Sequence, residues 1–117
     1  MISKRKKGTI GEDIAVDYLQ KKKYRILERN FRFERGEIDI IAEDEDTLVF
    51  VEVKARRSKQ YGEPEDSVTI HKRNQIRKVA EGYLFQKNIE DKECRFDVIA
   101  IEHRNNKPII RHIEDAF

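Results

Sequence analysis

The stretch Gly36-Glu37-Ile38-Asp39-Ile40-Ile41-Ala42, a short acidic interval Glu43-Asp44-Glu45-Asp46, and then Leu48-Val49-Phe50-Val51-Glu52-Val53-Lys54 decide the fold. Both flanks are rich in β-branched and aromatic residues and the interval is polar, the pattern of two antiparallel strands joined by a short loop. In the second strand Val49, Val51 and Val53 share one face, and Leu48, Phe50, Glu52 and Lys54 share the other. In the first, Glu37, Asp39 and Ile41 alternate with Ile38 and Ile40.

With the loop centred on Glu45 and Asp46, Asp39 falls opposite Glu52. Residues so paired point the same way, with Cβ atoms about 5 Å apart. Two carboxylates at that separation repel by about 3 kcal/mol at an effective dielectric near 20. A divalent cation between them reverses the sign. Lys54 stands on the same face as Glu52, beside whatever the carboxylates hold. The three residues form a carboxylate pair for a metal with a cation for a phosphate or a water. Charges at alternate strand positions more often make a wetted face; these sit among Phe50, Val51, Val53, Ile38 and Ile40, in an otherwise apolar hairpin.

Outside the hairpin, composition narrows the class. The 117 residues predict a single domain, 1–117, with a basic N-terminal arm over 1–7. Charged residues make up 41% and mean hydropathy is −0.83, but the apolar residues are periodic, so the chain is expected to fold. No apolar run approaches the ~20 residues that span a bilayer, and no apolar stretch follows the N-terminal lysines as in a signal peptide. A lone Cys94 excludes an internal disulfide and a zinc ribbon, and suits the reducing cytoplasm. The three histidines, His71, His103 and His112, share no ligand spacing. Net charge is only +2, yet Lys4 to Lys7, Lys54-Arg56-Arg57-Lys59 and His71-Lys72-Arg73 are basic clusters, and one of them begins at Lys54, where a phosphate backbone would lie.

Along the chain, Thr9-Ile10-Gly11-Glu12 matches a capping box, followed by Ile10, Ile14, Ala15, Tyr18 and Leu19 at helical spacing, so a helix is expected to about Lys22. Glu12 has two readings there: a cap, or a further carboxylate for the hairpin site. Tyr24 to Phe33 reads as an edge strand, and Gly36 as a turn glycine chosen for its backbone freedom. Gly62 and Pro64 put a loop over Ser58 to Ser67, placed to act as a substrate flap. A second helix is expected over Val68 to Gln86, with Ile70, Ile76, Val79, Ala80, Tyr83 and Leu84 as its apolar stripe. Lys72 is a phosphate contact near its start; Arg73 and Arg77 read as solvated. Arg95 to Ile101 and Ile109 to Ile113 are strands about an Asn105-Asn106 turn. The outcome is an α/β domain with a mixed central sheet of about five strands and two flanking helices.

Several of these motifs occur together in one known family. Gly11-Glu12, Tyr18-Leu19, Asn30-x-Arg32, Gly36-Glu37-Ile38-Asp39-Ile40-Ile41-Ala42, Val49-Phe50-Val51-Glu52-Val53-Lys54-x-Arg56, Gly62-x-Pro64, Lys72, Arg95-Phe96-Asp97-Val98 and His112-Ile113-x-x-Ala116-Phe117 resemble the bacterial YraN family, in order and over nearly the whole chain. That family is placed in the PD-(D/E)xK endonuclease-like superfamily with restriction endonucleases and Holliday-junction resolvases. Lys23 departs from it, standing where the family usually has glycine.

The resemblance implies a restriction-endonuclease-like core and a Mg²⁺- or Mn²⁺-dependent deoxyribonuclease acting on DNA phosphodiesters, branched or junction DNA in repair or recombination among them. Asp39, Glu52, Glu12 and the Val53 carbonyl would bind the metal. Lys54 would orient or help deprotonate the attacking water. Lys54, Arg56, Arg57 and Lys72 would contact nucleic acid, and Glu37 is a second-tier carboxylate. Junction-cutting relatives act as homodimers, since two symmetric nicks need two sites. The alternatives are a catalytically weak or inactive nucleic-acid-binding module acting with a repair partner, and an interaction protein whose acidic strand merely stays wet.

Overall fold

A computed structural model describes residues 4–56 and 67–117. Seven elements follow in order: α1 (Lys4–Lys21), β1 (Arg25–Phe33), β2 (Gly36–Asp44), β3 (Thr47–Arg56), α2 (Ile70–Gln86), β4 (Glu93–Arg104) and β5 (Lys107–Ile113). The five strands form one mixed sheet in the order β1-β2-β3-β4-β5. Neighbours are antiparallel except β3 and β4, which run parallel from Thr47 beside Glu93 to Arg56 beside Glu102. A parallel pair needs a long crossover, and α2 lies on the segment that supplies it. The expected mixed α/β sheet with two helices is the fold observed.

The hairpin forms in the register read from the sequence. Asp44 pairs with Thr47 and Ile40 with Val51, about a two-residue Glu45-Asp46 turn. Each face of the sheet carries one helix. Leu48, Phe50 and Val98 pack under Ile76, Val79, Ala80 and Tyr83 of α2, whereas Val49, Val51, Ile99 and Ile101 pack under Ala15 and Leu19 of α1. Strand β3 is therefore covered on both sides, which is why it reads as nearly continuous apolar residues until Glu52.

Strand β2 does not keep the simple alternation expected of it. Ile41 packs on the α2 side and Ile40 and Ala42 on the α1 side, but Ile38 packs on the α2 side too. The alternation slips at Asp39. Across from the slip, Asn30 of β1 has φ 54° between the Phe31–Ile38 and Arg29–Ile40 pairs. Asparagine reaches this left-handed region more easily than most residues.

Four further expectations change. Helix α1 begins at Lys4, so Lys4 to Lys7 belong to a helix rather than to an arm, and Thr9-Glu12 lies inside the helix instead of capping it. Gly36 has no left-handed φ; a Cβ there would stand 2.4 Å from Val79 Cγ2, so the glycine serves close approach of α2 and not a turn. Ile70 is 74% exposed and lies off the buried stripe, since α2 starts at Ile70 behind the N-cap Thr69, whose side chain accepts from the Lys72 amide. Arg73 and Arg77 are not merely solvated: Arg73 donates to the Val68 carbonyl, and both guanidinium groups lie over Phe117. The flap expected over Ser58 to Ser67, with Gly62 and Pro64, falls outside the described residues except at Ser67.

The chain after β5 is held by a buried aspartate. Asp97 is fully buried and accepts from Arg95 Nε and Nη2, both at 2.9 Å, from His112 Nε2 at 2.7 Å and from the Asp115 amide at 3.0 Å. Burial alone would raise its carboxyl, but the bonds from His112, Arg95 and Asp115 outweigh it and hold Asp97 below the usual range. Phe117 then stacks on Phe96, and Phe96 on Phe50.

Candidate metal centre

Asp39 sits where β2 and β3 stop pairing. Its carboxylate takes the ladder position beyond Ile40–Val51, with Oδ2 accepting from the Val53 amide at 2.9 Å. Glu52 leaves β3 on the face shared with Phe50, is 6% exposed, and its carboxyl is close enough to that of Asp39 to act on it. The pairing expected from the turn is thus realised as a carboxyl-to-carboxyl contact. Burial pushes the Asp39 pKa from 3.8 up to about 7, with the Glu52 hydrogen bond and charge adding to the rise and the Val53 amide and Lys72 opposing it. Like charges in partial burial cannot both stay ionised cheaply.

Two lysines face this pair. Lys54 Nζ stands 3.9 Å and Lys72 Nζ 3.5 Å from Glu52 Oε2. Lys54 comes along β3 from Glu52; Lys72 comes from the first turn of α2, which the Thr69 cap fixes in place. The side chains of 39, 52 and 54 therefore converge on one patch.

On the other side of Asp39 stand two more carboxylates. One oxygen from each of Glu12, Glu37 and Asp39 lies within 4.8 Å of the others. Glu12 is carried by α1, whose Gly11 lies against β3 at Ala55. Burial, then the Asp39 charge, raises the Glu12 carboxyl above its usual pKa, against a hydrogen bond from Asn30 and the charge of Arg29. Glu12 Oε1 is buried and receives no hydrogen bond, with Arg29 Nη2 3.8 Å away. A buried acceptor left bare costs about 1–3 kcal/mol, more for a charge, so this oxygen is built for a partner. Glu37 is also paired with Arg32 at 3.3 Å.

The donors are all carboxylate oxygens, which suits a hard cation such as Mg²⁺ and no soft one. The bare Glu12 oxygen and the raised Asp39 carboxyl fit a bound cation; both penalties disappear when one is present. Of the residues expected at the site, Asp39, Glu52, Lys54, Lys72, Glu12 and Glu37 are brought together, and the Val53 amide adjoins them. The side chain of Arg56 and all of Arg57 lie outside the described residues. Arg29 and Asn30, which hold Glu12, were not read from the sequence as site residues; the Asn30-x-Arg32 motif was the available signal. A second oxygen- and nitrogen-bearing group, Asp97, His112 and Glu114, also converges, but Asp97 is already saturated by donors.

A family model described as uncharacterised protein family UPF0102 matches residues 11–101. Among similar proteins, a UPF0102 protein of Persephonella marina is 51% identical over 111 residues, covering 95% of this chain and 92% of its own. One of Geotalea uraniireducens is 53% identical over 111 residues, covering 94% and 87%. One of Alkaliphilus oremlandii is 48% identical over 115 residues, covering 97% and 98%.

Proposed function

The chain belongs to the uncharacterised protein family UPF0102, and from that premise we propose that it is a metal-dependent nuclease that hydrolyses DNA phosphodiesters. One observation carries the reading: a partly buried Asp39 joins Glu52 on one side and Glu12 on the other, with Lys54 and Lys72 at Glu52. That arrangement supports the site that the PD-(D/E)xK resemblance implies.

Asp39, Glu52 and Glu12, with the Val53 carbonyl, would hold Mg²⁺ or Mn²⁺. When bound, the ion supplies Lewis-acid charge to the phosphoryl oxygen and to the nucleophilic water. Lys54 orients that water for attack in line with the scissile P–O bond and steadies charge gathering on the phosphate. Lys72 reaches from α2 to a second phosphate oxygen. Asp39 fixes the end of β3 through the Val53 amide, so the carboxylates and Lys54 are pre-positioned rather than gathered by the substrate. Branched or flapped DNA is the substrate class, through the same resemblance, and a homodimer would cut two strands symmetrically. No helix among the described residues is long and apolar enough to cross a membrane.

The test is Mg²⁺- or Mn²⁺-dependent cleavage of linear, flapped and four-way DNA by wild type, Asp39→Asn and Lys54→Ala. Wild type cuts, and each variant loses about a hundredfold or more, the scale of one positioned catalytic group. Equal cutting by all three proteins would trace the activity to a contaminant. DNA binding without cleavage by any of them would leave the nucleic-acid-binding module as the reading.

A further inference from the structure

A groove of about 1010 Å³ opens between the β1–β2 turn and the flank of α2. Phe33, Gly36 and Val79 supply its apolar part, and Arg35, His71, Asn74, Gln75 and Lys78 are among its polar lining. We propose that this groove carries a single strand of nucleic acid leading away from the scissile phosphate. The inference rests on the phosphodiester reading above and adds the path and the form of the substrate.

Continuity comes first. Gly36 and His71, both in the lining, are the chain neighbours of Glu37 and Lys72, so the groove lies on the same β2 and α2 ends that carry part of the cluster. Its chemistry is that of a single-strand site, where cations track the backbone and flat apolar groups receive bases. Arg35 and Lys78 are exposed cations without ion pairs among the described residues, and Asn74 and Gln75 offer amide donors. The Phe33 ring lies against Gly82, where a Cβ would be 2.5 Å from the ring, so the aromatic surface is fixed in place. Gln75 Nε2 donates to the Arg35 carbonyl at 3.5 Å, tying the turn to α2. The volume matches a cleft for a drug-sized molecule, room for a few nucleotides of one strand. Glu34 and Glu81 also line the groove and temper its charge, which predicts binding tunable in both directions.

The experiment uses the full chain in EDTA, so that nothing is cut, and a fluorescein-labelled twelve-nucleotide thymidine strand, a duplex of the same length, and that strand as a flap on the duplex. Anisotropy titrations compare wild type, Arg35→Gln with Lys78→Gln, Glu34→Gln with Glu81→Gln, and Lys107→Gln as an exposed control on β5. Loss of the two cations weakens single-strand and flap binding about tenfold and leaves duplex binding within about twofold. It also lowers the salt slope by about 1.4, from about 0.7 per phosphate contact on a single strand. Loss of the two carboxylates tightens single-strand binding, and the control changes nothing. Unchanged single-strand affinity in the cation variant, equal weakening on duplex, or no single-strand binding by wild type each overturns the groove. Cleavage in Mg²⁺ is read separately. Groove-dependent binding without cleavage sinks the hydrolytic reading alone, and cleavage without groove dependence sinks this inference alone.

Discussion

Replacing Asp39 with asparagine stabilises the metal-free protein at neutral and alkaline pH, and the size follows from the site. The folded carboxyl has its pKa raised from 3.8 to about 7, chiefly by burial and then by Glu52. Between those two values the folded state binds a proton that the unfolded chain has released, so stability falls as pH rises through that window and is flat above it. At about 1.4 kcal/mol per tenfold, the span amounts to at most about 4 kcal/mol. Asparagine is nearly isosteric, can still accept from the Val53 amide, can donate to Glu52, and never ionises. Urea or thermal unfolding in EDTA, from pH 4 to 8.5, measures the gap. The two proteins coincide near pH 4, separate in favour of Asp39→Asn as pH rises, and hold a constant gap above about pH 7, on the order of 10 °C in midpoint. Millimolar Mg²⁺ narrows that gap by raising wild type alone, by about 2.7 kcal/mol at a hundred times its Kd. A pH-independent gap, or a variant less stable than wild type at pH 8, would refute the raised Asp39 carboxyl.

Other outcomes follow from single positions. Lys23→Gly raises stability by about 1 kcal/mol in urea unfolding, because Lys23 has φ 73° in the C-terminal turn of α1. There Tyr24 and Lys23 amides bond back to Leu19 and Gln20, the hydrogen-bond pattern of a glycine-favoured helix end. Gly36→Ala destabilises by about 1–3 kcal/mol, since its Cβ collides with Val79 Cγ2, and calorimetry with Mn²⁺ shows weaker binding as Asp39 shifts. Asp97→Ala costs about 3–5 kcal/mol in denaturant, leaving Arg95 without its buried partner. The intact Asp97, held below its ordinary pKa, contributes stability that is present above about pH 4 and lost as pH falls further, readable as the acid limb of wild-type unfolding.

The hairpin was legible because turn position and two-residue alternation are properties of neighbours in the chain. Placing the turn at Glu45 and Asp46 was enough to set Ile40 against Val51 and bring Asp39 to Glu52. The same logic missed the slip at Asp39, which answers Asn30 on another strand. It also misassigned Gly36, because backbone freedom and lack of a side chain look identical in a sequence; only Val79 overhead distinguishes them. Glu12 reads from its neighbours as either a cap or a ligand, and its place well inside α1 removes the cap.

By itself, then, the sequence determined the strands, the register of β2 on β3 and the spacing of Asp39, Glu52 and Lys54, since each depends on local period and turn length. Only the tertiary structure decided that Glu12 reaches Asp39 and Lys72 reaches Glu52 from helices on opposite faces of the sheet. The physical reason is that a helix chooses its place by what its apolar stripe buries, Leu19 on one side and Val79 on the other, and that choice depends on surfaces assembled from residues far apart in the chain.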